Sequence, residues 1–314
     1  MRFPPLPPIF ENWPILRNSM SDKDKRIMFH IGAAAAAKYR GGDSSLYFCP
    51  ICGRGFGIGA TETGDLTIEH VPPRATGGKP LLLTCAECNS QAGHKIDFHA
   101  ANESEINRFT SFFSSQDDTL KHCTLQMEEE NIVVELSKKE KLISIKVIGN
   151  CNNPITLEKL NHHFVELQRS GTWDGHTFSI TKAFKLDLRI LHLSYLRTAF
   201  LLLTAWLGYR FAFDHRMEVI RKQILNPDQN IMSGEFCFKR SGSCEHMPRN
   251  VIMNVSLPFS HFLVSFDNFF VVFPHPSSST NIYDQIKMIS NMHTQITGRI
   301  FSWPSSMTML LDQK

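Results

Sequence analysis

The sequence predicts an α+β protein: a small metal-stapled module near the N-terminus, followed by a larger domain of mixed helices and antiparallel strands. Three observations carry this. Two Cys-x-x-Cys pairs, Cys49/Cys52 and Cys85/Cys88, frame a segment rich in Gly, Cys and His with little apolar periodicity. Residues 122–149 alternate apolar and polar side chains, the period of a half-buried strand. Residues 186–209 are apolar almost all round a helix, as a core helix is. The expected organisation is an N-terminal arm and helix over 1–44, the module over 45–100, and an α+β companion domain over 101–314.

Residues 1–20 read as an irregular Pro-rich arm. Prolines at 4, 5, 7 and 8 break any apolar run, and no small-residue cleavage site follows, which argues against a secretory signal. Ser21 is a good N-cap, with acids in the first helical turn. The helix it starts runs through Ala33–Ala37, read as simple helix propensity, and stops at Gly41-Gly42. Cys123–Met127, Ile132–Leu136 and Leu142–Ile148 read as three antiparallel strands, with Glu128–Asn131 and Ser137–Lys141 as turns. Pro154–Gln168 reads as a helix ended by Gly171, and His176–Phe184 as a strand. Leu186–Tyr209 and Asp214–Leu225 read as helices, and His261–Phe266 and Phe269–Phe273 as strands.

The composition is globular, 42% hydrophobic and 20% charged over 314 residues. The uncharged run Thr198–Tyr209 holds twelve residues, and a membrane span needs about 20. A buried helix in a cytoplasmic protein, with no membrane partner, is expected. The net charge of +3 excludes a strongly basic, histone-like protein but not a local nucleic-acid patch.

The eight cysteines divide in two. In a Cys-x-x-Cys turn both thiolates reach one metal, and two such turns complete a tetrahedral Zn²⁺ site. Cys49, Cys52, Cys85 and Cys88 are therefore expected to hold a structural zinc. Cys123, Cys151, Cys237 and Cys244 lack such spacing and read as small buried hydrophobes.

Between the pairs lie Glu69-His70-Val71-Pro72-Pro73, and Asn89 follows Cys88 directly. A plain zinc ribbon has no need of a Glu-His pair there. Phosphodiester hydrolysis does. An imidazole suits deprotonation of water near neutral pH, and a hard divalent cation offsets charge building on the phosphate. Such a cation takes oxygen ligands, which Glu69 and Asn89 offer. A zinc would clamp the segment carrying Asn89 against the strand carrying Glu69 and His70.

These residues resemble a known family. Cys49–Asp97 is similar to the HNH endonucleases of the ββα-metal nuclease group, whose zinc-bearing members show Cys-x-x-Cys, then acid-His-hydrophobe-x-Pro, then Cys-x-x-Cys followed by His or Asn. The resemblance implies a ββα-metal module, His70 as general base, Glu69 and Asn89 as ligands of a catalytic Mg²⁺ or Mn²⁺, and products with 5′-phosphate ends. One departure stands out. Many relatives carry an Asn-Leu pair before the second Cys-x-x-Cys, and that Asn orients the base. Here Lys79–Thr84 holds no Asn.

The plain alternatives are a structural histidine at 70, a surface carboxylate at 69 and a helix N-cap at 89. His94 is a further candidate as second ligand or phosphate contact, although five helical residues from Asn89 turn it about 140° away. Arg54, Arg74, Lys79 and Lys95 surround the motif as candidate phosphate contacts. Residues 41–100 nevertheless hold four Lys and Arg against six Asp and Glu, so DNA grip must come partly from elsewhere. Residues 182–222 offer eight Lys and Arg against three acids, with Tyr195, Trp206 and Tyr209 interleaved. That stretch reads as a nucleic-acid face or, the favoured reading, as a core helix with charged ends.

The expected function is metal-dependent DNA hydrolysis, by analogy in bacterial restriction or phage defence. A homodimer, or a partner protein of a defence system, would be its protein contacts. The alternatives are an RNA nuclease and a non-catalytic zinc module that binds nucleic acid or a partner protein.

Overall fold

The computed structural model describes residues 22–42, 45–127, 130–140, 142–171, 178–232, 236–239, 249–254, 260–266, 269–275, 283 and 298–312. The Pro-rich arm, the Ser21 cap and Cys244 lie outside them.

Helix α1 (Asp22–Arg40) ends where Gly41 takes φ of 70°. That left-handed turn is the usual helix stop and suits glycine. Its alanines do more than supply propensity, since Ala33, Ala35 and Ala36 are buried. Then come β1 (Tyr47–Phe48), β2 (Gly55–Phe56), α2 (Ala60–Thr63), β3 (Leu66–Val71), β4 (Lys79–Cys85) and α3 (Ala86–Ala92). A π-type turn over Gly93–Asp97 leads into α4 (Phe98–Ser111).

Next are β5 (Asp117–Met127), β6 (Glu130–Lys139), β7 (Leu142–Val147), α5 (Pro154–Ser170) and β8 (Phe178–Thr181). The long apolar helix is α6 (Leu188–Leu207), broken by Gly208 at φ 96° before α7 (Tyr209–Ala212). The chain finishes with α8 (Glu218–Leu225), β9 (Cys237–Lys239), β10 (Asn250–Asn254), β11 (His261–Ser265), β12 (Phe269–Pro274) and β13 (Arg299–Ser302).

The class is mixed α+β. The expected helices and strands are present, with boundaries moved by a few residues. Only part of the 214–225 helix is α-helical: Asp214 caps a 3₁₀ turn at His215–Met217, and α8 starts after it. Cys123 and Cys237 are buried as expected, but Cys151 is exposed in a short turn.

The chain forms two compact units. One combines Met1–His94 with His192–Lys314, and the other is Lys95–Leu191. The first boundary falls six residues before residue 100, and the C-terminal segments share an interior with the N-terminal ones. The Tyr209 hydroxyl, for example, donates to the Phe48 carbonyl at 2.8 Å and accepts from the Phe48 N–H at 3.1 Å.

In the first unit, β13-β10-β11-β12-β9 form an antiparallel sheet, and β3 and β4 form a separate hairpin. Helix α6 is long and apolar enough to cross a bilayer. Yet 83% of its most apolar window is buried, so it serves as a core helix. In the second unit, β7-β6-β5-β8 form an antiparallel sheet. Its core is Phe112, Leu120, Cys123, Leu125, Ile132, Val134, Leu136 and Leu160.

Candidate metal centre and catalytic site

The first Cys-x-x-Cys forms a tight turn. The Gly53 N–H donates to the Cys49 carbonyl at 2.8 Å, and Gly53 itself has φ of 75°, which suits glycine. Cys85 ends β4, and Cys88 lies in the first turn of α3. The four Sγ atoms lie within 4.8 Å of one another, and those of Cys52 and Cys85 are 3.7 Å apart. Zn–S bonds of about 2.3 Å in a tetrahedron put sulfurs about 3.8 Å apart, so this donor set is consistent with structural zinc. The Cys85 N–H donates to Cys49 Sγ at 3.4 Å, the kind of contact that supports a thiolate ligand.

Arg54 does not stand free for phosphate. Its Nε and Nη2 approach the Cys52 and Cys85 sulfurs at 3.5 and 3.3 Å, and Nη2 also pairs with Glu87. The two sulfurs and that carboxylate hold the guanidinium pKa well above its ordinary value.

The cysteines pin one end of the hairpin. Cys85 pairs with Leu66, and the Ala86 N–H donates to the Asp65 carbonyl at 2.8 Å. Toward the other end β4 carries an extra residue, Leu81, between the pairs Glu69↔Leu82 and His70↔Pro80. Such a bulge re-aims side chains and is common beside active sites. A cis Val71–Pro72 bond and the turn Arg74–Thr76 follow. Gly78 closes this loop, where any Cβ would overlap the Pro72 carbonyl.

The polar interior of the hairpin runs in a line. Asn89 Nδ2 donates to Thr67 Oγ1 at 2.9 Å and to the Ile68 carbonyl at 3.4 Å. Thr67 Oγ1 donates to the Thr84 carbonyl at 3.3 Å, and Thr84 Oγ1 donates to Glu69 Oε2 at 2.9 Å. The same oxygen accepts from Arg197 Nη2 of α6 at 2.5 Å. Both side chains of this ion pair are buried, at 1% exposure for Arg197 and 4% for Glu69. These bonds engage Glu69 Oε2 and Asn89 Nδ2 and leave Glu69 Oε1 and Asn89 Oδ1 uncommitted. Two oxygens, one anchored from behind by an arginine and a threonine, suit a hard divalent cation.

His70 follows Glu69 on β3 and is half-buried. Among the described residues no hydrogen bond holds its ring, so the missing Asn of the resemblance has no substitute in a backbone carbonyl. Burial, then the Arg74 guanidinium, push its pKa below the ordinary histidine value. Arg74 and Lys79 are exposed at either end of the loop after His70, and neither has an acidic partner among the described residues.

His94 and Lys95 are exposed in the π-type turn. The turn supplies a local distortion at Gly93, but no hydrogen bond joins His94 to Asn89 or His70. Tyr195, Trp206 and Tyr209 of the 182–222 stretch serve packing: Tyr209 is fully buried, Tyr195 lies 4.8 Å from the Phe266 ring and Trp206 lies 5.0 Å from Phe301.

Arg197, Thr67 and Thr84 were not anticipated in this site. The signal for Arg197 was present, because an arginine in the middle of an apolar helix needs a buried acid. Which acid it meets, 128 residues away, is a property of the fold.

No curated protein and no solved structure matches the chain. Residues 49–105, which hold all four cysteines of the cluster, match the family model described as HNH endonuclease, and this segment is an HNH endonuclease domain.

Proposed function

We propose that the protein is a metal-dependent endonuclease that hydrolyses DNA phosphodiester bonds, with His70 as general base and Glu69 and Asn89 as ligands of Mg²⁺ or Mn²⁺. The observation that carries this is the pairing of an unheld His70 ring with a neighbouring carboxylate anchored through one oxygen by Arg197 and Thr84. His70 takes the proton of the attacking water. Arg74 and Lys79 meet the flanking phosphates, while Arg54 serves the sulfur cluster. Glu69 Oε1 and Asn89 Oδ1 hold the divalent ion, which when bound offsets the charge on the phosphate and the departing 3′-oxygen. Zinc at the four cysteines keeps α3, and with it Asn89, against β3.

The same proposal places the protein in the cytoplasm, where thiols stay reduced and DNA is within reach. A restriction or phage-defence role rests on the resemblance alone.

The test is supercoiled plasmid incubated with Mg²⁺ or Mn²⁺. His70→Ala is expected to slow cutting about 10²–10⁴-fold at unchanged zinc content and melting temperature. Equal cutting by both proteins, or none by wild type with either ion, overturns the reading. RNA digested in parallel decides the sugar preference.

A further inference from the structure

An open groove of about 640 Å³ lies on the first unit, lined by Tyr39, Arg40, Gly53, Phe213 and Arg221. Its size falls within the range of about 300–1,000 Å³ that small-ligand sites occupy. Its charge comes from two arginines. Several others meet carboxylates: Arg26 with Glu62, Arg54 with Glu87, Arg108 with Asp118, Arg197 with Glu69 and Arg216 with Asp214. Arg40 and Arg221 have no acidic partner within 4.0 Å among the described residues. Glu218, one turn from Arg221, pairs instead with Lys222 at 2.7 Å. Arg221 Nε is buried with no hydrogen-bond partner.

Both guanidiniums are held by rings. Arg40 sits 3.8 Å over Phe48, and Arg221 sits 5.0 Å over Phe213. Stacking occupies the flat face of a guanidinium and leaves its N–H edge for a planar or tetrahedral oxyanion. Phe213 is fixed by Tyr209, whose ring is parallel to it at 5.4 Å, and by Tyr39 at 5.9 Å. Gly53 of the cysteine turn forms the back wall, with the Phe213 ring and the Arg221 guanidinium within 4 Å of where a Cβ would sit. Two guanidiniums with no carboxylate in direct contact, beside a fixed aromatic wall, suit a ligand that is both anionic and flat, although Glu218 and Cys52 already attract Arg221 from a distance.

We propose that this groove binds a nucleotide, its phosphate between Arg40 and Arg221 and its base against Tyr39 and Phe213. The nucleotide belongs either to a nucleic-acid strand or to a free mononucleotide. The strand form rests on the nuclease reading, and the free form does not. Base stacking and arginine contacts of this kind hold single strands without sequence preference.

The test uses the zinc-loaded full chain in buffer without magnesium or manganese. The probes are a fluorescent single-stranded DNA oligonucleotide and adenosine monophosphate as competitor and direct ligand. Arg40→Ala and Arg221→Ala are each expected to weaken binding about tenfold, the scale of one charged hydrogen bond. For the oligonucleotide, each should also lower the salt slope by about 0.7, the value for one phosphate contact on a single strand.

Competition by the mononucleotide supports the free form. Oligonucleotide binding that the mononucleotide does not compete supports the strand form. Wild-type affinities and salt slopes in correctly folded variants overturn the proposal, as does absence of binding to both probes. Arg40 is exposed, so Arg40→Ala decides the matter if Arg221→Ala fails to fold. His70→Ala separates the two readings, since it should abolish cutting and leave groove binding intact. Binding lost in Arg40→Ala while plasmid is never cut would sink the nuclease reading and keep the groove.

Discussion

The hairpin of the first unit and the sheet of the second are both antiparallel, yet they are held in opposite ways. The β5–β8 sheet packs one face on an apolar core of Leu120, Leu125, Ile132, Val134 and Leu136, and its charges lie outside. The β3–β4 hairpin instead buries the Glu69 carboxylate and Thr84 against the Arg197 guanidinium of α6, and one of its ends is pinned by the four-cysteine cluster. Even the neighbouring Tyr47 of β1 works as a polar strut. The buried Tyr47 hydroxyl donates to the Leu83 carbonyl at 2.7 Å and accepts from the Leu83 N–H at 3.2 Å. An apolar core tolerates small losses in many places. A polar interior fails when one partner leaves, because the group that remains is buried and unpaired.

Removal of zinc should expose this contrast most strongly. Structural zinc contributes about 10–16 kcal/mol in small zinc modules near neutral pH. Chelation, or Cys88→Ala, is expected to strip hydrogen-exchange protection from β3, β4 and α3. Protection in β5 and β6 should persist, since their core contains no metal ligand. Equal loss in both would show that one cooperative unit, not two, responds to the metal.

The buried ion pair is the next place to strike. Arg197→Met leaves Glu69 charged and alone in the interior, and breaking such a pair costs about 3–5 kcal/mol. Adding Glu69→Leu removes the orphan and should restore most of the stability, read as the urea midpoint. Cutting activity should not return, because the proposed ligand is gone. A double variant no more stable than Arg197→Met would mean that the pair acts through packing rather than charge.

Ile132→Ala offers the matched experiment in the apolar sheet. The residue is fully buried, and the substitution is expected to cost about 2–5 kcal/mol with no partner able to rescue it. A second-site rescue as complete as the one expected for Arg197 would erase the contrast between the regions.

This division also explains what was legible in the sequence. The β5–β7 strands were readable because period-two alternation is a local signal of a half-buried sheet. The sulfur cluster was readable because two short spacings carry its chemistry. Glu69, His70 and Asn89 stood out as residue types, but what surrounds them did not. The Arg197 contact joins residues 128 apart, and no local pattern encodes it. Arg54 looked like a phosphate ligand until the fold turned it onto the sulfurs. That the segment from His192 onward joins the N-terminal one in a single unit was hidden for the same reason, since shared burial between distant segments leaves no local mark.

The smallest effect expected is a pH dependence in the first unit. His275 is buried against Phe262, with ring centroids 5.0 Å apart, and burial lowers its pKa to about 4. The fold therefore favours the neutral ring. The stability this supplies is full above the unfolded value near 6.5 and drains away as pH falls from there toward 4. At pH 5.5, one unit below the unfolded value, the loss is on the order of 1 kcal/mol. Asp312 works in the opposite direction, because burial raises its pKa to about 6 and the folded state gains protons first. Comparison with His275→Leu cancels that contribution. The stability difference between the two proteins, from urea midpoints, should shift by on the order of 1 kcal/mol between pH 7.5 and 5.5. A difference that stays flat across this window would mean that the His275 ring reaches solvent when protonated, so that the interior here yields where the hairpin does not.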